Sequence, residues 1–536
     1  MAKEFNVTGT CISRLHYMVD TTQKLNAIRA LVEKGKYFTI NRPRQYGKTT
    51  TLQMLGKTLR ETGEYIVFSL SFASVGDAMF DNEFAFSPKF IHLLTSFADS
   101  QAPELKDWLM KAELETPDMA SLDKAITEMC QQTDKKIVVL IDEVDKSSNN
   151  QLFVSFLGML RDKYLVRDDV KTLHSVVLAG VHDVKSLKIK LRPEAEKKFN
   201  SPWNIAVDFK IDMNFNPIEI ASMLKEYVAD KSVTMDIEQI SERLFFYTSG
   251  YPYLVSKLCM IVDEDILPYK MEHADKSGTD LSWTVDDLDK AFQMLLRDPD
   301  NVNFTNLFIN LEHNPDLYNL VKMVIFDNAE IEFDATIPNI HLGVLYGLFA
   351  PNEKNRLSIH NRIYRERIAN YMIIKLQTEP QVDTKYNLNL FNFRGQFVRD
   401  DNSLDMAQVL IKFQSFIREH NSAKNRDFLE KDGRLLFMAF MKPIINGAGY
   451  DFKEPQISDE QRLDVVITFY QYRYLAELKI WHGEVAHQKG LTQLSIYMDN
   501  MGMKEGYLVI FNHNKKKTWK TEWIELTGKK VFAVWV

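Results

Sequence analysis

The stretch Asn41–Thr50, NRPRQYGKTT, ends as a phosphate-binding loop ends but does not begin as one does. In the pattern G-x-x-x-x-G-K-[ST], Gly47, Lys48 and Thr49 fill the last three places, and Arg42 stands where the first glycine belongs. Placement decides whether such a triplet means anything. The apolar run KYFTI (Lys36–Ile40) predicts a strand leading straight into the loop, and KTTTLQMLGKTLRE predicts a helix starting at about Lys48. A helix start offers free N–H groups and partial positive charge, which suits phosphate. Lys48 is then placed for the β- and γ-phosphates and Thr49 for Mg²⁺.

About 90 residues further on, KIVVLIDEVDK runs through an apolar strand into Asp142-Glu143. An acid at the end of a buried strand is costly unless something compensates it. A Mg²⁺ ion held by Asp142 does so, and Glu143 is the candidate to orient or deprotonate an attacking water. The expected nucleotide set is Arg44, Gln45, Tyr46, Gly47, Lys48, Thr49, Thr50 and Asp142, with Thr49 and Asp142 as metal ligands and ATP, or else GTP, as the nucleotide. A residue with a Cβ at Arg42, followed by Pro43, argues against the usual tight backbone. Arg42 and Arg44 either offset phosphate charge or hold the loop against a neighbouring domain, and the sequence leaves both readings open.

Around this loop the first 215 residues alternate apolar strands (YIVFSLSF, KIVVLID, HSVVLAGV) with helical patterns, which predicts an α/β unit with a parallel sheet covered on both faces. Residues 216–299 read as short-looped amphipathic helices forming a lid. Residues 300–375 read as a winged-helix-like unit, 376–402 as a polar linker, and 403–536 as a second α/β domain. Three cysteines, Cys11, Cys130 and Cys259, show no metal-ligand spacing and read as thiols of a reducing compartment. Neither a signal-peptide core nor an apolar run of membrane-spanning length is visible, so the expectation is a cytoplasmic protein without a membrane partner. The net charge of −7 argues against a protein that coats nucleic acid. From Asp401 onward, however, the chain carries 19 Lys+Arg and 17 Asp+Glu, with a basic run KKKTWK at Lys515–Lys520. That run is either a polyanion surface or a solvated loop.

In the C-terminal domain, QRLDVVITFYQYRYLAELKI reads as a hairpin centred between Tyr470 and Gln471. This register sets Asp464 opposite Glu477, with Lys479 on the same face as Glu477. Carboxylates opposed across a sheet repel unless a divalent cation sits between them, and a lysine on the same face can stabilise a nucleophilic water or phosphorane charge. Tyr-Gln is a poor two-residue turn, so a longer loop is also open. The competing reading is a solvent-exposed hairpin with ordinary charges. Gln493 falls on a following helix and Glu430 at the end of a preceding one, while His482 and His487 read as surface or supporting residues.

Two resemblances bear on this. RPRQYGKTT resembles the RPR-x-[FY]-GK-[ST] loop of the AAA-ATPase-like family, related to archaeal and signal-transduction ATPases, in which the altered entrance is normal. HYMVDTTQKLNAIRALVEKGKYFTI, VVLAGVHDV, NSPWNIA (Asn200–Ala206) and TSGYPYLVSKLC, with Gly250 and Pro252, are similar to further blocks of that family over roughly residues 1–375. The resemblance implies a P-loop ATPase. It places His182 and Asp183 near a sensor strand without assigning a side chain, and leaves Arg192 as an arginine-finger candidate. MKPIINGAG, RLDVVI, AELKIWHGE, GLTQLSIYMD and EGYLVIF resemble the PD-(D/E)XK nuclease domain found fused to such ATPases, which implies a restriction-endonuclease-like fold. It implies Asp464, Glu477 and Lys479 as the catalytic set, with Asp464 and Glu477 on Mg²⁺, Gln493 as accessory and Glu430 as a helix acid. Leu463 stands where that motif's proline is expected. The combined expectation is an ATP-driven switch controlling a Mg²⁺-dependent nuclease acting on DNA, in defence or mobile-element biology, with a homo-oligomer left open. The alternative is a nucleotide-dependent assembly protein whose nuclease-like domain binds nucleic acid or a partner without cutting.

Overall fold

Continuous apolar runs such as IVVLI and SVVLA bury both faces of a strand, and that is how they are used. In the computed structural model, β1 (Phe38–Asn41), β2 (Tyr65–Ser71), β3 (Lys136–Asp142) and β4 (Ser175–Gly180) form a parallel sheet in the order β1-β4-β3-β2. A parallel bridge from Phe38 to Val207 extends it beyond β1. The structure describes residues 3–147, 151–181, 203–231, 233–273, 282–326, 330–378, 397–419, 436–438, 440–441, 444–445, 449–450, 465–481, 483–512 and 519–536. The chain divides into two compact units, Met1–Leu320 with Ile331–Glu366, and Val321–Glu330 with Arg367–Val536.

In the first unit, helix α1 (Thr22–Glu33) precedes β1, and α2 (Lys48–Glu61) follows the loop and packs on β2 and β3. Helices α3 (Glu83–Gln101), α4 (Pro103–Glu115) and α5 (Met119–Gln131) fill the connection from β2 to β3. Helix α5 starts at a capping box between Asp118 and Ser121, which satisfies two otherwise orphan N–H groups. Their apolar faces join the sheet in one core containing Phe68, Phe86, Phe90, Ile126, Val139, Phe156 and Trp203. Helix α6 (Gln151–Leu165) connects toward β4. Beyond it come α7 (Pro217–Lys231), β5 (Thr234–Met235), α8 (Ile237–Thr248) and α9 (Pro252–Ile261). Helix α9 continues through a π-turn at Val262–Ile266 into α10 (Leu267–Glu272). Pro268 lies just past that turn and has no N–H to donate back along the helix, which accounts for the break in the ladder. After β6 (Ser282–Trp283) and α11 (Val285–Arg297) come α12 (Val302–Glu312), α13 (Pro315–Phe326), α14 (Pro338–Leu345), the hairpin β7 (Phe349–Pro351) and β8 (Leu357–Ile359), and α15 (Arg362–Thr378); the division into units falls within α13 after Leu320 and within α15 after Glu366.

The second unit holds a mixed six-stranded sheet in the order β13-β14-β12-β11-β10-β9. Its elements are α16 (Met406–Glu419), β9 (Gly449–Tyr450), β10 (Val465–Phe469), β11 (Tyr472–Ile480), α17 (Glu484–Asn500), β12 (Glu505–Phe511), β13 (Thr521–Leu526) and β14 (Lys529–Trp535). Helix α17 covers the face carrying Leu475, Leu508 and Ala533, while Phe413 of α16 meets Phe511 on the other face. The β10–β11 pairing runs from Val465↔Ala476 to Phe469↔Tyr472. The loop is therefore two residues, not longer, and Tyr470 takes a left-handed φ of 48° to close it. Among the described residues no helix is long and apolar enough to cross a membrane.

Candidate nucleotide site at the sheet edge

The parallel order brings the C-terminal ends of β1, β4 and β3 side by side, the edge where open α/β sheets bind ligands. Asn41 pairs with Gly180, and Asp142 ends β3 opposite Ser71. The loop after β1 turns into α2 through Gly47, whose φ of 74° a side chain would strain. Lys48, Thr49, Asp142 and Glu143 meet here. The Thr49 hydroxyl donates to Asp142 Oδ2 at 2.5 Å, and Asp142 Oδ1 accepts from the Glu143 N–H at 2.9 Å. The two side chains that the sequence proposes for the metal of the nucleotide site thus touch each other, although 93 residues separate them.

Lys48 is buried and turned back onto its own loop, where Nζ donates to the carbonyls of Arg42 at 3.0 Å and Pro43 at 2.8 Å. Burial lowers its pKa, and the nearby charges of Asp145, Glu143 and Asp142 oppose that shift. Glu143 sits at a φ of 56°, an unusual conformation for a side-chain-bearing residue. Glu143 is exposed, and partial desolvation first, then the Asp142 charge, raise its pKa.

The two arginines differ. Arg42 Nη2 donates to Ile211 O at 2.7 Å and Nη1 to Asn41 O at 2.8 Å, and the guanidinium lies 5.2 Å from the Phe209 ring centre. Arg42 therefore ties β1 to the 209–211 segment. The Arg44 side chain is exposed, close enough to bias the charges of Lys48 and Glu143, while its carbonyl accepts from Tyr251 Oη at 2.7 Å. Three other members of the expected set bond residues outside the Thr49–Asp142 pair. Gln45 bonds Asn303, Tyr46 bonds Asn214 and reaches His360, and the Thr50 hydroxyl accepts from the Cys11 N–H.

Asp145 is a neighbour that the sequence pattern does not single out. Its carboxylate accepts from the Val181 N–H at 2.8 and 2.9 Å, tying the end of β4 to the segment after β3. A Cβ on Gly180 would lie 2.2 Å from Asp145 Oδ1, so any side chain there must displace the Asp145 carboxylate. The available signal is its place two residues after Glu143. No local signal marks Asn303 or His360. Burial lowers the His360 pKa to about 4, partly opposed by Asp212.

The sequence pattern of the AAA-like domain family matches residues 12–370. The chain belongs to this family. This AAA-like protein is an α/β P-loop NTPase, and the fold implies ATP binding. Solved structures similar to it include the RuvB Holliday junction branch migration motor of Thermotoga maritima, at 13% identity and a TM-score of 0.33, covering 66% of this chain and 96% of that one. The ORC2 protein of Aeropyrum pernix shows 13% identity and a TM-score of 0.39, covering 70% and 98%. The ORC1 protein of the same organism, in complex with DNA, shows 9% and 0.31, covering 66% and 93%. No curated protein sequence matches the chain.

In the second unit of the AAA-like protein, Glu477, Lys479 and Gln493 come together. Glu477 is fully buried, and its Oε1 lies 2.7 Å from Lys479 Nζ. Lys479 Nζ also donates to Gln493 Oε1 at 3.3 Å, and Gln493 Nε2 to Tyr497 Oη at 3.3 Å. His487 is buried between the rings of Trp481 and Trp535 rather than on the surface. Asp464, Glu430, His182, Asp183, Arg192, His482, the segment 200–202, residues 379–396 of the expected linker and residues 515–518 of the basic run lie outside the described residues. Among the described residues no cluster of three His, Cys, Asp or Glu side chains is placed to hold a metal.

Proposed function

We propose that the protein is an ATP-binding and ATP-hydrolysing switch whose nucleotide state governs a Mg²⁺-dependent phosphodiester-cleaving C-terminal unit, with DNA as the first substrate to test. The observation that carries the switch is the Thr49–Asp142 contact beside buried Lys48 at the sheet edge. A hydroxyl and a carboxylate oxygen are the hard donors that Mg²⁺ takes, so the residues fit the ion. When bound, Mg²⁺ supplies charge neutralisation on the phosphates. Lys48 Nζ exchanges its loop carbonyls for phosphate oxygens, and Glu143 orients a water and accepts its proton.

For the C-terminal unit, the buried Glu477 with Lys479 and Gln493 on one face supports a phosphodiesterase site completed by Asp464. Lys479 would stabilise charge on the scissile phosphate and Gln493 would hold Lys479. The Glu477–Lys479 ion pair also favours a second reading, since a carboxylate already neutralised by lysine can bind nucleic acid or a partner without cutting. The domain division 1–215, 216–299, 300–375, 376–402 and 403–536 and a cytoplasmic location belong to this proposal.

The test incubates plasmid DNA and RNA with the purified chain, with and without ATP and Mg²⁺, for wild type, Lys48→Ala and Glu477→Ala. The proposal expects cleavage by wild type only with Mg²⁺, altered ATP dependence in Lys48→Ala, and no cleavage by Glu477→Ala. Nucleic-acid binding without cleavage by wild type establishes the second reading. Undiminished cleavage by Glu477→Ala removes the assignment of the site.

A further inference from the structure

A conventional phosphate loop owes its shape to glycine. Here residues 42–46, Arg-Pro-Arg-Gln-Tyr, all carry side chains, and the backbone nonetheless turns left-handed at Gln45, with a φ of 58°. Such a conformation is disfavoured for a residue with a side chain and persists only where surroundings impose it. The imposing groups lie far along the chain. Asn303 at the start of α12 donates Nδ2 to Gln45 Oε1 at 2.8 Å across 258 residues. Asn303 is buried and itself fixed, accepting from Tyr364 Oη at 2.7 Å. Tyr251, just before α9, donates to the Arg44 carbonyl at 2.7 Å and packs its ring 4.5 Å from that of Tyr46. Two consecutive loop residues, Arg44 and Gln45, are thus gripped from outside the sheet, immediately before Gly47 and the start of α2.

We infer that Asn303 is a positioning residue of the nucleotide site, acting through Gln45 to hold the loop's left-handed turn into α2. The inference rests on the reading of this loop as a nucleotide site. Preorganising a loop lowers the ordering cost of binding, so its loss appears in affinity and KM, with kcat little changed.

The experiment is a double-mutant cycle of Gln45→Ala and Asn303→Ala in the full chain. It reads binding of a fluorescent N-methylanthraniloyl ATP, KM and kcat of ATP hydrolysis, and melting temperature. A neutral hydrogen bond predicts that each single variant weakens binding and raises KM about three- to tenfold, with kcat within about twofold. The double variant falls no further than Asn303→Ala alone, because both remove one interaction. Independent, additive losses, or unchanged affinity in Gln45→Ala, overturn the inference. The Gln45 side chain is exposed, so that variant decides the matter even if Asn303→Ala does not fold. If wild type and Lys48→Ala alike fail to bind the analogue, the nucleotide reading itself is at fault. If wild type binds and Lys48→Ala does not, the nucleotide site stands and additive losses in the cycle count against Asn303 alone.

Discussion

Replacing Arg42 by alanine tests what the unusual entrance is for. The side chain donates to Ile211 O at 2.7 Å and to the adjacent Asn41 O at 2.8 Å, and covers the Phe209 ring at 5.2 Å. A hydrogen bond from a charged donor contributes about 1.5–3 kcal/mol, and a cation over an aromatic ring about 0.5–1 kcal/mol. Against this, the guanidinium is desolvated enough to lower its pKa, and its removal returns part of that cost. The net expectation is a loss of about 2 kcal/mol from the first unit. Urea unfolding should show a lower midpoint, and hydrogen exchange should speed up across residues 207–212. Arg44→Ala removes an exposed side chain and should leave the midpoint unchanged while weakening ATP binding. An unchanged midpoint for Arg42→Ala together with lost ATP affinity would refute the reasoning, because Arg42 would then be the phosphate residue.

Three further outcomes follow from the same geometry. The folded His360 pKa, lowered to about 4 by burial, lies below its unfolded value of 6.5, so the unfolded chain binds the extra proton between these values. The contribution to stability is therefore full above pH 6.5 and lost as pH falls toward 4; it is at most about 3 kcal/mol, and His360→Gln should flatten the melting temperature between pH 7 and 5. Gly180→Ala drives a Cβ into Asp145 and should lower the urea midpoint by the equivalent of about 2 kcal/mol; a normal midpoint would show that Asp145 yields freely. Lys479→Met strands the buried Glu477 carboxylate and should destabilise the second unit by about 2–4 kcal/mol. Added Mn²⁺ should recover part of that loss if Glu477 belongs to a metal site, and melting curves with and without Mn²⁺ decide it.

Much of the first unit was legible because its signals are local. An apolar run, a glycine-lysine-threonine turn and a second apolar run ending in two acids predict strands, a helix start and a charged edge. A hairpin centred between Tyr470 and Gln471 likewise gives the β10–β11 register that the structure shows, although the sequence also left a longer loop open. Tyr470 shows where local reasoning fell short, since turn preference argued for a longer loop but strand pairing on both sides imposed a two-residue one.

By itself, then, the sequence determined the strand–loop–helix elements around the phosphate loop and the candidate chemistry of Lys48, Thr49, Asp142 and Glu477, and it offered the hairpin register that the strand pairing adopts. Periodicity and turn chemistry act over a few residues and are written in the chain. Only the tertiary structure decided that Thr49 meets Asp142, that Arg42 binds the backbone carbonyls of Asn41 and Ile211, and that Asp145 anchors the end of β4. It alone decided that Asn303 and Tyr251 grip a loop more than 200 residues away. Those contacts depend on which strand lies beside which and how each segment returns to the sheet edge, and no local pattern records it.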